Sequence, residues 1–540
     1  MKAVFNGKGI VFRNLMKDET FADQSEVLKL INRHVNTDRQ YLAVLRPHGF
    51  GKSVIASMLE AYYSKEGEGA ELFSGLKFGE NEGWDRYLSK FNVIHITMTD
   101  YFPEKGQLNS AGTMIDLFTD DLRQMLYERY GDILPEGLTD SLDLLNRIYQ
   151  ETQEQFIFII DEWDAMMRRF PEDEENKKYY LDILLKLLKD RAYVALAYMT
   201  GILPIKKYGE HSALNMFREI SLLHADELAP YTGFTEDNVK MLCDKFGADL
   251  EKIRFWYDGY TVPGLGGEMY SVFNPLSVTT AVQNQNYKSC WTATETYEAL
   301  SEYIVLNFDG LKEKIQYLSD GGEILIDPAE FKNDLSSFQG TDSVLTALVH
   351  LGYLTFRPDP DDLDSECGFV KVPNRELKRE FEKTLQTAGM ENLSVMLKES
   401  EKLLQAVLAC DEEKTAEMVR RAHARFADPL HYNSEEALAS VLLQAFQYAY
   451  IFYNIRREMP AGEGFADLYF EPLKYSSYPP MIVELKYNQT AETAIRQIHE
   501  RNYIWTVKDP ACQEAVLAGI SYDKDTKEHT CRIEKVKMER

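Results

Sequence analysis

Over residues 1–225, short runs of consecutive apolar residues alternate with longer stretches of helical periodicity. The apolar runs predict strands that are buried on both faces, at residues 41–45, 91–96, 156–160 and 193–199. Between them, apolar residues recur every three or four positions, which predicts helices at residues 53–63, 111–130 and 177–189. Strands that alternate with helices predict an α/β fold, in which a parallel sheet carries helices on both faces.

The pattern changes after residue 225. Residues 226–290 are helical and then turn-rich, with Thr235 as the expected N-cap of a helix. Within 291–385, the pattern predicts helical structure, then a helix at 341–353 and a hairpin of strands at 353–356 and 368–372. This helix and hairpin fit a winged helix. The acidic segment 359–366 between the two strands argues against a grip on DNA phosphates and favours a protein–protein role for the wing.

The C-terminal part combines amphipathic helices with alternating strands. Two helices are expected within 386–430 and another at 434–450. A hairpin of strands 462–470 and 481–487 follows, joined by a polar turn, and then a helix at 491–503. Strands at 515–522 and 529–536 would complete this sheet. Helix, hairpin, helix and strand is the core order of a restriction-endonuclease-like fold.

Composition narrows the class of protein. The chain has 540 residues and a formal net charge of −27, so strong non-specific binding of nucleic acid is not expected without a local basic face. None of its six cysteines has the C-x-x-C spacing of a zinc site, and free thiols in a reducing compartment are expected. No apolar stretch approaches the roughly 18 residues of a membrane span. We therefore expect a cytoplasmic protein that makes no membrane contact.

A glycine-rich turn follows the first apolar run. Residues 46–53 read RPHGFGKS, and a helix is expected to begin at their end. A strand that leads through such a turn into a helix forms a phosphate cradle, because backbone N–H groups and the helix N-terminus face the anion. We expect Gly49 and Gly51 to shape the loop, Lys52 to reach the β- and γ-phosphates of ATP, and Ser53 to ligate Mg²⁺. The first glycine of the full pattern is absent, and an ordinary helix-capping turn is the alternative.

The third apolar run delivers two acids at its carboxyl end, where ligands bind to parallel sheets. Asp161 is expected in the Mg²⁺ coordination shell, and Glu162 is expected to orient or activate the attacking water. Solvated acids at a strand end are the alternative for this segment alone. The phosphate cradle and the acids together predict that ATP is bound and hydrolysed.

Further residues near the same strand ends are candidates. Thr200 follows the fourth run and would sense the γ-phosphate or the attacking water, although a helix N-cap explains it equally well. Arg168, Arg169 and Arg218 are candidates for an arginine finger, and surface charges are the alternative for each.

A charged trio interrupts the apolar pattern of the C-terminal hairpin. Asp467 lies in the middle of one strand, and Glu484 and Lys486 are two residues apart on the other, so they project from one face. Two carboxylates and a lysine on one face can bind Mg²⁺ or Mn²⁺, position water and stabilise the charge of a phosphorane. A solvated sheet face is the alternative. The preceding helix offers Glu435 or Glu436 as a further carboxylate.

These segments together resemble a bacterial family with an AAA-ATPase-like N-terminal domain and a C-terminal nuclease domain of the PD-(D/E)XK superfamily. The resemblance covers nearly the whole chain. Residues 46–53 match the family's RPRRFGKS-type segment, including Arg46, which we therefore place in the nucleotide site. Residues 160–164 match its IDEYD-type segment. Further landmarks match at residues 200–201, 233–235, 256–260 and 274–275.

The resemblance also implies a set of nuclease residues. Its pattern maps onto Asp467, Glu484 and Lys486, with Gln497 as the residue on the following helix. For the upstream metal ligand we slightly prefer Glu436 over Glu435. Together with the pattern along the chain, the resemblance predicts a P-loop domain at 1–225, a helical lid or connector at 226–290, a winged-helix-like domain at 291–385, and a helical linker with a nuclease-like domain at 386–540.

The leading hypothesis is an ATP-regulated, metal-dependent nuclease that acts in DNA handling or in defence against foreign DNA. Its expected partners are ATP, a nucleic acid substrate, and further copies of the chain or another protein. The alternative is an ATP-dependent switch or scaffold whose nuclease-fold domain recognises a protein or nucleic acid without catalysis. A P-loop kinase of a small molecule is a third hypothesis, which requires an acceptor pocket that the sequence does not indicate.

Overall fold

The computed structural model of the chain describes sixteen ranges. They are residues 2–104, 108–135, 137–205, 207–208, 211–212, 214–291, 310–332, 338, 340–361, 366–387, 393–426, 435–461, 464–473, 476, 478–503 and 513–538. Several sequence predictions concern residues outside these ranges, namely the helical structure at 292–309, part of the acidic segment at 362–365, and residues 434 and 462–463. The chain divides into two compact units, residues 1–300 with 326–380 and residues 301–325 with 381–540.

The first unit is built on a six-stranded sheet. Its strands, in spatial order, are Val4–Phe5, Asn92–Thr97, Phe156–Asp161, Val194–Gly201, Tyr41–Leu45 and Arg218–Ile220. All neighbours are parallel except the first pair, which is antiparallel. All four apolar runs therefore form strands, and the predicted parallel sheet is confirmed. Strand Val194–Gly201 separates the strand before the glycine-rich turn from the strand that delivers the acids.

Helices cover both faces of this sheet because successive strand residues point to opposite sides. Ile94 and Ile96 belong to a core that includes the helices Ala111–Tyr130, Ser141–Thr152 and Glu174–Leu188. His95 lies between them and faces the other way, where its Nδ1 lies 2.6 Å from the Glu60 carboxylate of helix Lys52–Tyr63. The other helices and strands of this unit are Ile10–Met16, Val27–Ile31, Gly69–Phe73, Ala165–Arg169, Lys207–Tyr208, His211–Ser212, Glu236–Phe246, Leu250–Tyr257, Tyr260–Pro263, Met269–Val272, Pro275–Asn284, Thr341–Leu351, Thr355–Pro358 and Gly368–Lys371.

The later segments of the first unit agree with the prediction in part. Thr235 caps helix Glu236–Phe246 with a reciprocal capping box, as expected. The helix predicted at 341–353 ends at Leu351, because Gly352 is its C-cap and adopts a left-handed φ of 84°. The hairpin of the expected winged-helix-like domain follows. The segment 260–272, interpreted as turns, contains an antiparallel hairpin that the sequence analysis missed.

The second unit contains a five-stranded sheet. Its strands, in spatial order, are Tyr453–Ala461, Gly464–Pro472, Met481–Tyr487, Glu514–Asp523 and Glu528–Lys537. Only Met481–Tyr487 and Glu514–Asp523 run parallel, because helix Ala491–Glu500 crosses between them. The remaining helices of this unit are Leu311–Ser319, Leu393–Leu408, Glu412–Phe426 and Glu435–Ala445. Helix Arg375–Thr387 and strand Ile324–Ile326 each cross the boundary between the units along the chain.

The second unit differs from the prediction in several details, such as the helix predicted at 491–503, which ends at Glu500. Strand Tyr453–Ala461 was not predicted, because it is an edge strand whose middle is largely exposed and therefore carries no continuous apolar pattern. The helix predicted at 434–450 ends at Ala445, and a 3₁₀ helix covers Gln447–Ile451. None of the helices within the described ranges is long and apolar enough to cross a lipid bilayer.

Candidate nucleotide site and candidate nuclease site

The glycine-rich turn has the backbone geometry that the sequence predicts. Gly49 and Gly51 adopt left-handed φ values of 82° and 78°. A Cβ at Gly49 would lie 2.7 Å from Asn274 Oδ1, so both the conformation and the close approach require glycine there. Gly51 is the N-cap of the helix, which begins at Lys52. The free N–H groups of this helix start therefore lie directly after the loop.

Lys52 folds back onto the loop. Its Nζ donates hydrogen bonds to the carbonyl oxygens of Arg46, at 2.8 Å, and Pro47, at 3.0 Å. Burial lowers the pKa of Lys52 to about 8, against the opposing influence of nearby carboxylates. Ser53 is exposed on the first turn of the helix. A phosphate group bound in this loop would therefore lie beside Lys52, whose ammonium N–H groups already point at the loop carbonyls.

Arg46 occupies the position of the missing first glycine. Its backbone N–H donates to Gly201 O at 2.9 Å, which extends the pairing of the two strands into the loop. The side chain is 1% exposed, and its Nε, Nη1 and Nη2 are buried without a hydrogen-bond partner among the described residues. Burial lowers its pKa to about 9. A buried guanidinium without an acceptor is costly, so an anionic ligand fits this loop chemically.

The predicted acids lie at the adjacent strand ends. Asp161 ends its strand, and the Thr200 hydroxyl donates a hydrogen bond to Asp161 Oδ1. The same hydroxyl accepts from the Glu162 N–H at 3.2 Å. Glu162 has a φ of 52°, which is uncommon for a residue other than glycine. Thr200 lies inside strand Val194–Gly201, so the alternative that it is a helix N-cap is wrong.

The three arginine-finger candidates lie in different surroundings. Arg168 pairs with Glu162 and with Asp164, at 2.9 and 3.2 Å. Arg218 pairs with Asp226 at 2.7 Å. Arg169 is exposed.

Residues outside the predicted set support the loop. Asn274 caps helix Pro275–Asn284 by accepting the N–H groups of residues 276 and 277, and its Nδ2 donates to His48 O at 3.2 Å. The Phe50 ring packs edge-on against Tyr260 at 5.1 Å, and the Tyr260 hydroxyl donates to Gly352 O at 2.6 Å. The Asn-Pro pair was the available signal for Asn274, because both residues favour the start of a helix. Tyr260 lies in the family landmark at residues 256–260, but the sequence did not link it to the loop.

In the second unit, the structure brings the predicted trio together. Asp467 Oδ2 accepts the Leu485 N–H at 2.7 Å, which holds the Asp467 carboxylate against the neighbouring strand. Glu484 is 2% exposed, and its Oε1 accepts a hydrogen bond from Lys486 Nζ at 3.1 Å. Burial, together with the Asp467 carboxylate, raises the pKa of Glu484 to about 7. Burial also raises the pKa of Asp467. The trio is thus a largely buried cluster, and a solvated sheet face is the wrong alternative.

The upstream acid beside this cluster is Glu435. Lys486 Nζ lies 3.7 Å from Glu435 Oε1, which also accepts the Tyr487 N–H at 3.4 Å. Glu436, which the sequence analysis preferred, is exposed. Successive helix positions are about 100° apart, so a single helix face cannot present both acids to Lys486. Beside Asp467, Glu484 and Lys486, the structure therefore favours Glu435 over Glu436 as the fourth charged residue of the site.

Gln497 reaches the cluster from helix Ala491–Glu500. Its Nε2 donates to Glu484 Oε1 and lies 3.2 Å from the Tyr503 hydroxyl. That hydroxyl donates to Phe465 O at 2.8 Å, so Tyr503 ties the helix end to the strand that carries Asp467. Tyr503 is not among the site residues predicted from the sequence. The only sequence feature that pointed to Tyr503 was its position in the helical pattern after Gln497.

The donors of this cluster suit a hard divalent cation, since carboxylate oxygens are the ligands that Mg²⁺ and Mn²⁺ prefer. Glu484 Oε2 is buried without a hydrogen-bond partner among the described residues, which leaves it available as a ligand. Within the same ranges, no group of three or more His, Cys, Asp or Glu side chains is arranged to hold a metal ion. The residues therefore fit a metal ion in chemistry but are not assembled into a complete coordination group.

Comparison with known proteins finds a matching family model in each of the two units. Residues 11–209 match the family model described as predicted AAA-ATPase, and residues 433–530 match that of the PD-(D/E)XK nuclease superfamily. The search of curated proteins found no match.

Among solved structures, the chain is similar to the Walker-type ATPase paby2304 of Pyrococcus abyssi. The identity is 11%, the TM-score is 0.34, and the match covers 67% of this chain and 96% of that one. It is also similar to the Aeropyrum pernix ORC2 protein, solved as ADPNP–ADP complexes. Here the identity is 11%, the TM-score is 0.31, and the coverage is 70% of this chain and 98% of that one.

Proposed function

We propose that this chain, which joins an AAA-ATPase-like region to a region of the PD-(D/E)XK nuclease superfamily, is an ATP-hydrolysing protein with a metal-dependent nuclease site, acting in DNA handling or defence. The observation that carries the proposal is that buried Glu484 and Lys486 lie together with half-buried Asp467. Carboxyl groups of raised pKa that are buried beside a lysine are costly in a sheet, and such clusters concentrate at functional sites.

In the first unit, the backbone of Gly49 and Gly51 would cradle the phosphates of ATP, and Lys52 and Arg46 would supply positive charge. Ser53 and Asp161 would hold Mg²⁺, whose charge stabilises the phosphates during transfer. Glu162 would accept the proton of the attacking water at its carboxylate. The Thr200 hydroxyl contacts both acids, and it would keep them in fixed relative positions.

In the second unit, Asp467 and Glu484 would hold Mg²⁺ or Mn²⁺, which would supply activation of water and neutralisation of charge on the scissile phosphate. Lys486 would assist the nucleophile or stabilise the charge that develops at the phosphorus. Gln497 would orient Glu484 through the hydrogen bond that it already makes. Glu435, with Glu436 as the weaker candidate, would contribute the upstream carboxylate.

In this function the chain would have four domains, at 1–225, 226–290, 291–385 and 386–540. The first domain would switch or assemble the complex when ATP binds, and the last would act on nucleic acid. Further copies of the chain or another protein would be the partners in that assembly.

A second candidate function has its own support. The net charge is −27, and the described acids do not form a complete metal group. Both observations favour an ATP-dependent switch or scaffold whose nuclease fold recognises a partner without cutting it.

Metal binding and nucleotide binding separate these candidates. The proposed nuclease predicts that Mn²⁺ binds to the full chain and that Asp467→Asn weakens this binding, whereas the scaffold alternative predicts no Asp467-dependent metal binding. For the first unit, Lys52→Ala should abolish ATP turnover and weaken ATP binding. Lys178→Ala is the matched control, because Lys178 is an exposed lysine of the same unit. Equal ATP affinity in wild type and Lys52→Ala would contradict the nucleotide site.

A further inference from the structure

Arg168 bridges two acids next to the proposed ATP site. It lies on the short helix Ala165–Arg169, which begins shortly after Glu162. Its Nη2 donates to Glu162 Oε2 at 2.9 Å, and its Nε donates to Asp164 Oδ2 at 3.2 Å. The side chain is only 21% exposed, so this bridge is partly shielded from water. Shielded, charge-assisted hydrogen bonds of a guanidinium fix geometry better than exposed ion pairs do.

Asp164 gives Arg168 a rigid anchor. Asp164 is fully buried, and its Oδ2 accepts the N–H groups of Ile202 at 3.1 Å and Leu203 at 2.9 Å. These two residues directly follow the strand that carries Thr200. A Cβ at Gly201 would lie 2.9 Å from Asp164 Oδ1, so glycine permits this close approach. Arg168 is thereby fixed relative to the strand end that contacts Asp161.

Glu162 is consequently held at two points. Its backbone N–H donates to the Thr200 hydroxyl, and its Oε2 accepts from Arg168. In the part of the chain that the structure describes, its Oε1 makes no hydrogen bond. A carboxylate that is fixed by one oxygen keeps the other available to accept a proton.

We propose that Arg168, anchored by Asp164, is a positioning residue for ATP hydrolysis that holds Glu162 by Oε2 and leaves Oε1 to accept the proton of the attacking water. This inference rests on the proposed ATPase function. Arg168 therefore acts through Glu162 and not as an arginine finger, because both hydrogen bonds of its side chain go to carboxylates.

The test uses the whole 540-residue chain and measures ATP turnover at several ATP concentrations, with binding of a fluorescent ATP analogue measured separately. The variants are Arg168→Ala, Arg168→Lys, Glu162→Gln and the double variant Glu162→Gln/Arg168→Ala. Arg39→Ala is the matched control, because Arg39 is an exposed arginine of the same unit that is not placed in the nucleotide site. Nucleotide affinity also reports whether each variant is folded.

We expect Arg168→Ala to lower kcat about 10- to 100-fold, with KM and analogue affinity within about twofold of wild type, since positioned bases contribute rate factors of this order or more. Arg168→Lys should recover part of the loss, because an ammonium can still hold one carboxylate oxygen. The double variant should be no slower than Glu162→Gln alone, since Arg168 acts through Glu162.

Two results would overturn the inference while leaving the ATPase function intact. One is an unchanged or higher kcat in Arg168→Ala. The other is a double variant that is clearly slower than Glu162→Gln. A wild-type chain that binds ATP without hydrolysing it would overturn the proposed hydrolysis and this inference together, so the two failures are distinguishable.

Discussion

The raised pKa of Glu484 predicts that metal binding in the second unit depends on pH. Burial and the neighbouring Asp467 raise this pKa from 4.5 to about 7, while Lys486 opposes the shift. A carboxyl group must lose its proton before it can ligate a metal ion. The affinity for Mn²⁺ should therefore increase as the pH rises through 7, in a range where ordinary carboxylates are already ionised.

The expected magnitude follows from this single titration. For a pKa of about 7, roughly 10% of the Glu484 side chains are ionised at pH 6 and roughly 90% at pH 8, so the apparent affinity should rise about tenfold. The effect on stability has the opposite sign. Because the folded pKa is raised, the contribution of Glu484 to stability is full below pH 4.5 and is lost as the pH rises through 7. Because the metal ion binds more tightly at pH 8 than at pH 6, bound metal should stabilise the chain more at pH 8.

Calorimetric titration of Mn²⁺ into the full chain at pH 6, 7 and 8 measures this dependence. Glu484→Gln should remove both the binding and its pH dependence. Glu528→Gln, at an exposed position on the last strand, is the control and should behave as wild type. An affinity that is constant between pH 6 and 8, or a pH dependence that persists in Glu484→Gln, would refute this reasoning.

Two further predictions concern individual residues. Gly49→Ala should lower the free energy of unfolding by roughly 1–2 kcal/mol from its left-handed φ alone and should reduce ATP affinity, whereas Gly75→Ala, at an exposed glycine with no atom within 4 Å of the added Cβ, should change neither. Thermal unfolding and nucleotide titration measure both, and equal behaviour of the two variants would contradict the loop geometry. Glu435→Gln should weaken Mn²⁺ binding or cleavage more than Glu436→Gln does, because only Glu435 lies beside Lys486. The reverse order would restore Glu436 as the upstream ligand.

The sequence predicts the central strands well because burial on both faces leaves a strong signal. The runs that form Tyr41–Leu45 and Phe156–Asp161 are buried throughout, so their apolar residues are continuous. The glycine-rich turn and the Asp467, Glu484 and Lys486 trio were also predictable, because their chemistry depends on residues that are close in sequence or on paired strands. Strand Tyr453–Ala461 was not predictable, because its exposed edge position removes the apolar pattern.

The other features that the sequence did not predict depend on contacts between residues that are far apart in the chain. The choice between Glu435 and Glu436 depends on how one helix is rotated against strand Met481–Tyr487, which periodicity gives only approximately. The role of Arg168 depends on the left-handed φ of Glu162 at the end of its strand, which the sequence does not indicate. Tyr503 reaches Gln497 only through the chain path after helix Ala491–Glu500.

Cleavage of plasmid and single-stranded DNA with Mg²⁺ or Mn²⁺, with and without ATP, tests the central claim most directly. Wild type, Lys486→Ala and Lys52→Ala should be compared, with Lys535→Ala as the control at an exposed lysine of the same sheet. The proposed nuclease predicts that the wild type cuts DNA, that Lys486→Ala abolishes the cutting and that Lys535→Ala retains it. Cutting by Lys52→Ala shows whether ATP controls the nuclease. Normal cutting by Lys486→Ala, or a wild type that binds ATP and cuts under none of these conditions, would contradict the nuclease assignment.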